Sequence, residues 1–319
     1  MNDVFHIGEK TLQTRYAEVS KVQTLGTRMI RDFMLAQHQD FFGAQEQLFI
    51  GGEDAEGKVW ASVIYGLPGF LHSPSPHCLN VTLPDFNEIT ESTNASLTSN
   101  DPLGDAFNPG AKIGLLGIDF STRRRNRLNA SVLENTEGTL SLKVLQSYGN
   151  CPKYIWQRTI IDSYATQPRR RGFEQFSPEL LELIARADTL FIASRYQGNP
   201  LNREFAEHEK NKLGFDISHR GGQPGFIVHH EGQLWLPDYS GNNFFNTLGN
   251  ILLDPYVGIL IMEFDTQSYL QLSGSAQLVT EKSKLLASGV FDAAERALVF
   301  ELSKGFLVSD AIPWKYAHM

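Results

Sequence analysis

Two cysteines, Cys78 and Cys151, are all that 319 residues contain, and neither belongs to a Cys-x-x-Cys pair. A disulfide framework is therefore excluded, and a reducing compartment fits. Long apolar runs are missing as well. No stretch approaches the roughly 18 apolar residues of a membrane-spanning helix, and the opening residues, MNDVFHIGEK, lack a basic stretch followed by an apolar one. A cytoplasmic protein is expected, with no membrane partner. Positive charge is scarce: 28 Lys and Arg stand against 36 Asp and Glu, for a formal net charge of -8. Broad electrostatic binding to nucleic acid is disfavoured on that ground. The glycine-rich stretches contain no Gly-x-Gly-x-x-Gly ahead of a helix, so a Rossmann nucleotide site is not supported.

What is present is an internal repeat. Residues 113–132, IGLLGIDFSTRRRNRLNASV, align without a gap on residues 257–276, VGILIMEFDTQSYLQLSGSA, with six identities: Gly114/Gly258, Leu116/Leu260, Phe120/Phe264, Thr122/Thr266, Leu128/Leu272 and Ser131/Ser275. A second pair, GLPGFL from Gly66 and GQPGFI from Gly222, shares Gly, Pro, Gly and Phe. The first pair is offset by 144 residues and the second by 156, so the first half carries twelve extra residues, for which the polar run at 91–100 is the expected surface insertion. The chain is long enough for two domains, and 41% hydrophobic residues suffice for a core in each. The expected division is an N-terminal helical segment at 1–44, a β unit at 45–170 and a second β unit at 171–319. First strands are expected at 48–50 and 189–193, and each aligned 20-residue segment reads as strand, turn, strand. Helices are expected at 21–37, 177–187, 245–253 and 290–302.

The residues suited to chemistry cluster in the second half. DISHRGGQPGFI, starting at Asp216, predicts a strand bearing Ser218 and Arg220 and then a Gly-Gly turn. A return strand follows, and the run PDYSGNN predicts a short helix opening over residues 240–243. Free N–H groups and the positive dipole end of that helix, beside Ser240 and Asn243, suit a phosphate, with Arg220 as countercharge. The competing reading is that Ser240 and the asparagines only cap the helix. Arg123, Arg124, Arg125 and Arg127 form the densest charge cluster. On a strand Arg125 and Arg127 share a face. The cluster is either a charged edge strand or an anion site shared between the halves; no interleaved aromatics point to nucleic acid. Cys151, with no histidine nearby in sequence, reads as a packing residue. Adjacent His229 and His230 point apart on a strand and make a poor chelate, so no metal site is expected.

The order of strand, strand with Ser and Arg, return strand, PD-x-SGNN, helix, DP-x-VG-x-L strand and a strand ending in Gly-Ser resembles the pyridoxamine 5'-phosphate oxidase-like FMN-binding split barrels. The resemblance covers residues 187–279. The first half, with GLPGFL, RRRNRLN and QSYGNCPKYI, is similar to the front part of larger bacterial oxidoreductases in which such a unit precedes a flavin and iron-sulfur reductase; those modules do not follow here. The resemblance implies a mainly β (α+β) protein of two tandem antiparallel split barrels, either a pseudo-dimeric monomer or a homodimer. It also implies one FMN at the barrel junction. Ser218, Arg220, Asn243, Asn246 and Thr247 would then lie on the phosphate side, His219 and Pro224 nearer the ring, and Arg125 or Arg127 would reach the ring's polar edge or a substrate anion. Oxidases of the family carry Arg-Lys where this chain has Asn246 and Thr247, and they end in a basic tail where this chain ends AIPWKYAHM, which argues against pyridoxamine phosphate oxidation itself. The implied function is an FMN-dependent oxidoreductase of a small-molecule substrate, served by a separate flavin or iron-sulfur reductase. The alternatives are a flavin carrier without turnover and a haem-binding split barrel.

Overall fold

The computed structural model describes residues 3–83, 101–104, 106–136, 138–198, 211–289 and 294–319; the run at 91–100 lies outside them. The described chain is mainly β, with two large antiparallel sheets and six helices. The helices are α1 (Ile7–Tyr16), α2 (Val19–Met29), α3 (Ala36–Gly43), α4 (Pro178–Arg186), α5 (Asn246–Leu253) and α6 (Lys282–Ser288).

The first sheet contains β1 (Gln47–Glu53), β2 (Val59–Tyr65), β3 (Leu71–Ser75), β4 (Cys78–Thr82), β5 (Lys112–Asp119), β6 (Arg124–Thr136) and β7 (Thr139–Asn150), in the spatial order β2-β1-β5-β6-β7-β4-β3. After β8 (Arg158–Ser163) and β9 (Arg169–Phe173), the second sheet is built from β10 (Thr189–Tyr196), β11 (Gly214–Gly221), β12 (Val228–His230), β13 (Gln233–Asp238), β14 (Tyr256–Glu263), β15 (Ser268–Val279) and β16 (Arg296–Ser309). Its order is β11-β10-β14-β15-β16-β13-β12, and β9 adds to β16. Strand β17 (Trp314–His318) pairs with β8. The aligned 20-residue segments are the β5-turn-β6 and β14-turn-β15 hairpins, third to fourth in each path.

Continuous apolar strands such as LFI and LFIA follow from burial on both faces. Leu48 and Ile50 enter the core of the first sheet, Leu190 and Ile192 that of the second, while Phe49, Phe191 and Ala193 point into a third core between the sheets. Phe49 and Phe191 stack there with centroids 3.6 Å apart and planes at 14°. The aligned glycines Gly114 and Gly258 mark where the sheets cross. A Cβ on Gly114 would lie 2.9 Å from the Phe215 carbonyl oxygen of β11, and one on Gly258 2.4 Å from the Trp60 backbone of β2. Each sheet thus presses its third strand onto the other sheet's edge strand, and only glycine permits that approach.

Helices at 177–187 and 245–253 are found at Pro178–Arg186 and Asn246–Leu253. Two helical expectations need correction. The run 21–37 is broken because Arg31 leaves the helix to exchange backbone hydrogen bonds with Ser147 of β7 at 3.2 and 2.7 Å. Over 290–302, the described part from Arg296 is strand β16. There Ala297 and Val299 pack against Trp235 and Leu285, while Leu298 and Phe300 enter the second core. Burial on both faces made a period-2 strand read as a helix.

Candidate functional site

The site forms where β6 and the end of β7 from the first sheet meet β11 and the start of α5 from the second. Alternation along β11 puts Asp216, Ser218 and Arg220 on one face, and Phe215 and Ile217 on the other, in the shared core. Between β13 and α5 the chain turns through Asn243 and Phe245, both at φ 60°. These left-handed residues delay the helix to Asn246, past the expected opening at residues 240–243, and no side chain caps it. The Ser240 carbonyl instead accepts from the Tyr154 hydroxyl at 3.1 Å, and Tyr154 stacks on Tyr239 with centroids 5.2 Å apart.

One cleft of about 110 Å³ brings together nine residues named from sequence: Arg125, Arg127, Ser218, His219, Arg220, Ser240, Asn243, Asn246 and Thr247. Pro224 is exposed in the turn after β11 and does not line it. The cleft is strongly positive in an acidic protein, because Lys153 and Arg296 join the three arginines while, among the described residues, Asp238 is the one acidic residue lining it.

The cations are not equivalent. Arg127 donates through Nη1 to both oxygens of buried Asp216 at 2.9 Å, and through Nη2 to the Ser218 hydroxyl at 2.5 Å. The same Nη1 lies 3.3 Å from Asn246 Oδ1 and 3.3 Å from the Tyr148 hydroxyl. Burial opposes the Arg127 charge, but Asp216 and the Tyr148 hydroxyl together outweigh it and raise its pKa. The Ser218 hydroxyl also meets Thr247 Oγ1 at 2.5 Å. Arg220, expected to be the free countercharge, is instead paired with Asp238 at 2.6 Å, and Asp238 also takes Arg296 Nε at 2.9 Å.

Arg125 differs from both. Among the described residues it has no carboxylate partner; its Nη1 donates only to His219, at 3.1 Å to Nδ1 and 3.4 Å to the carbonyl oxygen. Burial, then repulsion from Arg127 and Arg220, push its guanidinium down to about 9, yet an arginine stays charged at neutral pH. Burial, then repulsion from Arg125, Arg220 and Arg158, hold His219 well below the usual histidine range. A neutral His219 whose Nδ1 accepts from Arg125 must carry its proton on Nε2. That Nε2 is buried without a partner, as are Arg125 Nε, Arg127 Nε and Asn150 Nδ2, all on residues lining the cleft. Four buried donors without a protein partner therefore gather on the residues of one cleft.

Several contributors escaped the sequence reading. Asp216 was visible as the alternating partner of Ser218 and Arg220, whereas Lys153, Asn150, Asp238 and Arg296 arrive from distant elements. Helix α1 lies in the helical segment expected at 1–44, but its contact with the site was unforeseen: Glu9 Oε1 accepts from Asn246 Nδ2 at 2.5 Å, His6 Nε2 meets Asn250 Oδ1 at 2.8 Å, and Gln13 Nε2 donates to the Phe244 carbonyl at 3.2 Å. Burial pushes the Glu9 carboxyl up to about 8 and holds His6 down to about 3. Cys151 corrects an expectation: it is an exposed free thiol on the rim of the cleft, because the chain leaves β7 at Asn150 and runs over the surface.

No family model matches the chain, and no curated protein matches it. Solved structures do. A Clostridium acetobutylicum protein related to general stress protein 26, of the pyridoxinephosphate oxidase family, is 12% identical over 44% of this chain and 92% of its own, with a TM-score of 0.29. An FAD-binding protein from Mesorhizobium loti is 7% identical over 44% of this chain and 98% of its own, with a TM-score of 0.27. HutZ, the haem storage protein of Vibrio cholerae, is 14% identical over 42% of this chain and 95% of its own, with a TM-score of 0.26. The family that the sequence motifs resemble, the pyridoxamine 5'-phosphate oxidase-like split barrels, is thus represented among the solved structures to which this chain is similar.

Proposed function

We propose that the cleft holds the phosphate-bearing end of one flavin mononucleotide, and that the protein is an FMN-dependent oxidoreductase of a small molecule. In this reading the chain is a tandem duplication: two split barrels, at 45–170 and 171–319, behind a helical segment at 1–44, meeting as the two subunits of a dimer would. The reading extends to a cytoplasmic location and a separate reductase as electron partner. The observation that carries it is Arg125, a largely buried guanidinium without a carboxylate, surrounded by unpaired donors. An unpaired buried charge is costly, and a phosphate supplies both the charge and the acceptors it lacks.

The cleft, open to solvent on one side, has a volume of about 110 Å³, well below the roughly 300 Å³ at which ordinary ligand pockets begin. It suits the anionic end of the nucleotide and not the whole molecule. Arg125, the Nε2–H of His219, the Asn150 amide and the uncapped start of α5 would bind that end, with Arg127 held in place by Asp216. Bound flavin would supply the redox chemistry, and the protein's part would be orientation and electrostatics. A haem reading through His219 is disfavoured by the tautomer: metal ligation at Nε2 would need the proton on Nδ1, where it would face the Arg125 donor. Titration of the protein with FMN, followed by quenching of flavin fluorescence, is expected to saturate at one equivalent. No binding, or two equal sites, would defeat the proposal.

A further inference from the structure

Cys151 is exposed, is not in a disulfide, and lies on the rim of the cleft lined by Arg125, Lys153 and Arg220. A second observation falls at the same place: His219, only 5% exposed, is one of the residues lining the cleft, and its Nε2 has no protein partner. Here an accessible sulfur nucleophile stands beside a cluster of cations. The second cysteine provides a contrast, since Cys78 is half-buried on β4 and donates to Asn80 Oδ1 at 3.5 Å.

We propose that Cys151 is a modification site for small anionic disulfides, whose acid groups the cleft binds while the thiol reacts. In the reaction the Cys151 sulfur, its proton released to solvent, attacks one sulfur of the disulfide. A new S–S bond forms to that half, the old S–S bond breaks, and the other half leaves as a thiolate. The cysteine is oxidised and the departing half reduced, with no other reactant. The product carries its acid group into the cleft and so closes it to other anions. This proposal does not depend on flavin binding.

The test compares two disulfides on the full chain carrying Cys78→Ser: dithiobis(nitrobenzoate), a dicarboxylate, and dithiodipyridine, which is uncharged. The ratio of their rate constants at Cys151 is expected to fall roughly tenfold in Arg125→Ala, and by a smaller factor in Lys153→Ala, with the uncharged reagent reacting at an unchanged rate. Lys153 is exposed, so its variant tests the idea even if Arg125→Ala does not fold. A ratio equal to that of the parent protein in the folded variants would overturn the proposal, as would a parent ratio that does not respond to added salt.

Discussion

Two reciprocal contacts cross the junction between the sheets, and they have different chemistry. On one side Arg127 of β6 reaches Ser218 on the edge strand β11, with Asp216 and Tyr148 beside it. On the other, Gln271 of β15 reaches Ser62 on the edge strand β2 at 3.1 Å and Asp101 at 2.9 Å, and its pairing neighbour on β16 is Phe306. Arg125, two residues before Arg127, corresponds to Tyr269, two before Gln271. The first contact opens onto a cleft with unpaired donors. In the second, the Gln271 amide, the Ser62 hydroxyl and the Leu103 N–H all converge on Asp101, and the Arg170 guanidinium, 3.4 Å over the Phe306 ring, adds its positive charge beside that carboxylate. The same framework therefore supports an open cleft where Arg125 and Arg127 stand and a buried junction where Tyr269 and Gln271 replace them.

The largest effect is expected from making the two contacts alike on the cleft side. Arg127→Gln strands the Asp216 carboxylate, which is 4% exposed, and removing one partner of a buried ion pair costs about 3–5 kcal/mol. Urea unfolding would measure it, and a loss below about 1 kcal/mol would mean that Asp216 finds another partner. Arg125→Ala comes next: losing a charge-assisted hydrogen bond worth about 1.5–3 kcal/mol should weaken FMN or inorganic phosphate by one to two decades, while Tyr269→Ala leaves that affinity unchanged. Equal effects from both would erase the asymmetry.

Glu9, which braces the cleft through Asn246, is expected to show in the pH dependence of stability. Its carboxyl is raised from 4.5 to about 8, so the unfolded chain ionises first and stability falls as pH rises through that window, by up to about 1.4 kcal/mol per unit. His6, lowered from 6.5 to about 3, acts oppositely below 6.5, where stability rises with pH. His219, also depressed, has the same sign. Between about 6.5 and 8 the Glu9 effect stands unopposed by either, and Glu9→Gln should flatten thermal melting there; an unchanged slope would reject the assignment. The smallest effect is expected on the packed side. Gln271→Ala leaves Asp101 its bonds from Ser62 and the Leu103 amide, so the cost should be about 1 kcal/mol, with no change in ligand affinity.

Much of this was legible in the sequence where the determinants are local. The hairpins declare themselves through Gly114 and Gly258, and alternation along β11 announces Ser218 and Arg220. The arginines of β6 were legible as a cluster that either blunts an edge or serves a site across the halves. What sequence could not supply is pairing. Arg220 reads as a free cation until Asp238 is folded against it, and Cys151 reads as core until its loop is seen at the surface. Strand β16 was misread because a strand buried on both sides loses the alternation that identifies it.

The contact between α1 and α5 has a consequence in time. A Cβ on Gly8 would lie 2.2 Å from the Gly249 carbonyl oxygen, so the two helices meet backbone to backbone across 241 residues of chain. At roughly 5–20 residues per second of synthesis, α1 is made on the order of ten to fifty seconds before the surface it packs on exists. A ten-residue helix cannot persist alone in water, so its residues stay uncommitted while the first sheet assembles. The brace on Asn246 is thus set only after the second sheet emerges, and the cleft is among the last features of the molecule to mature.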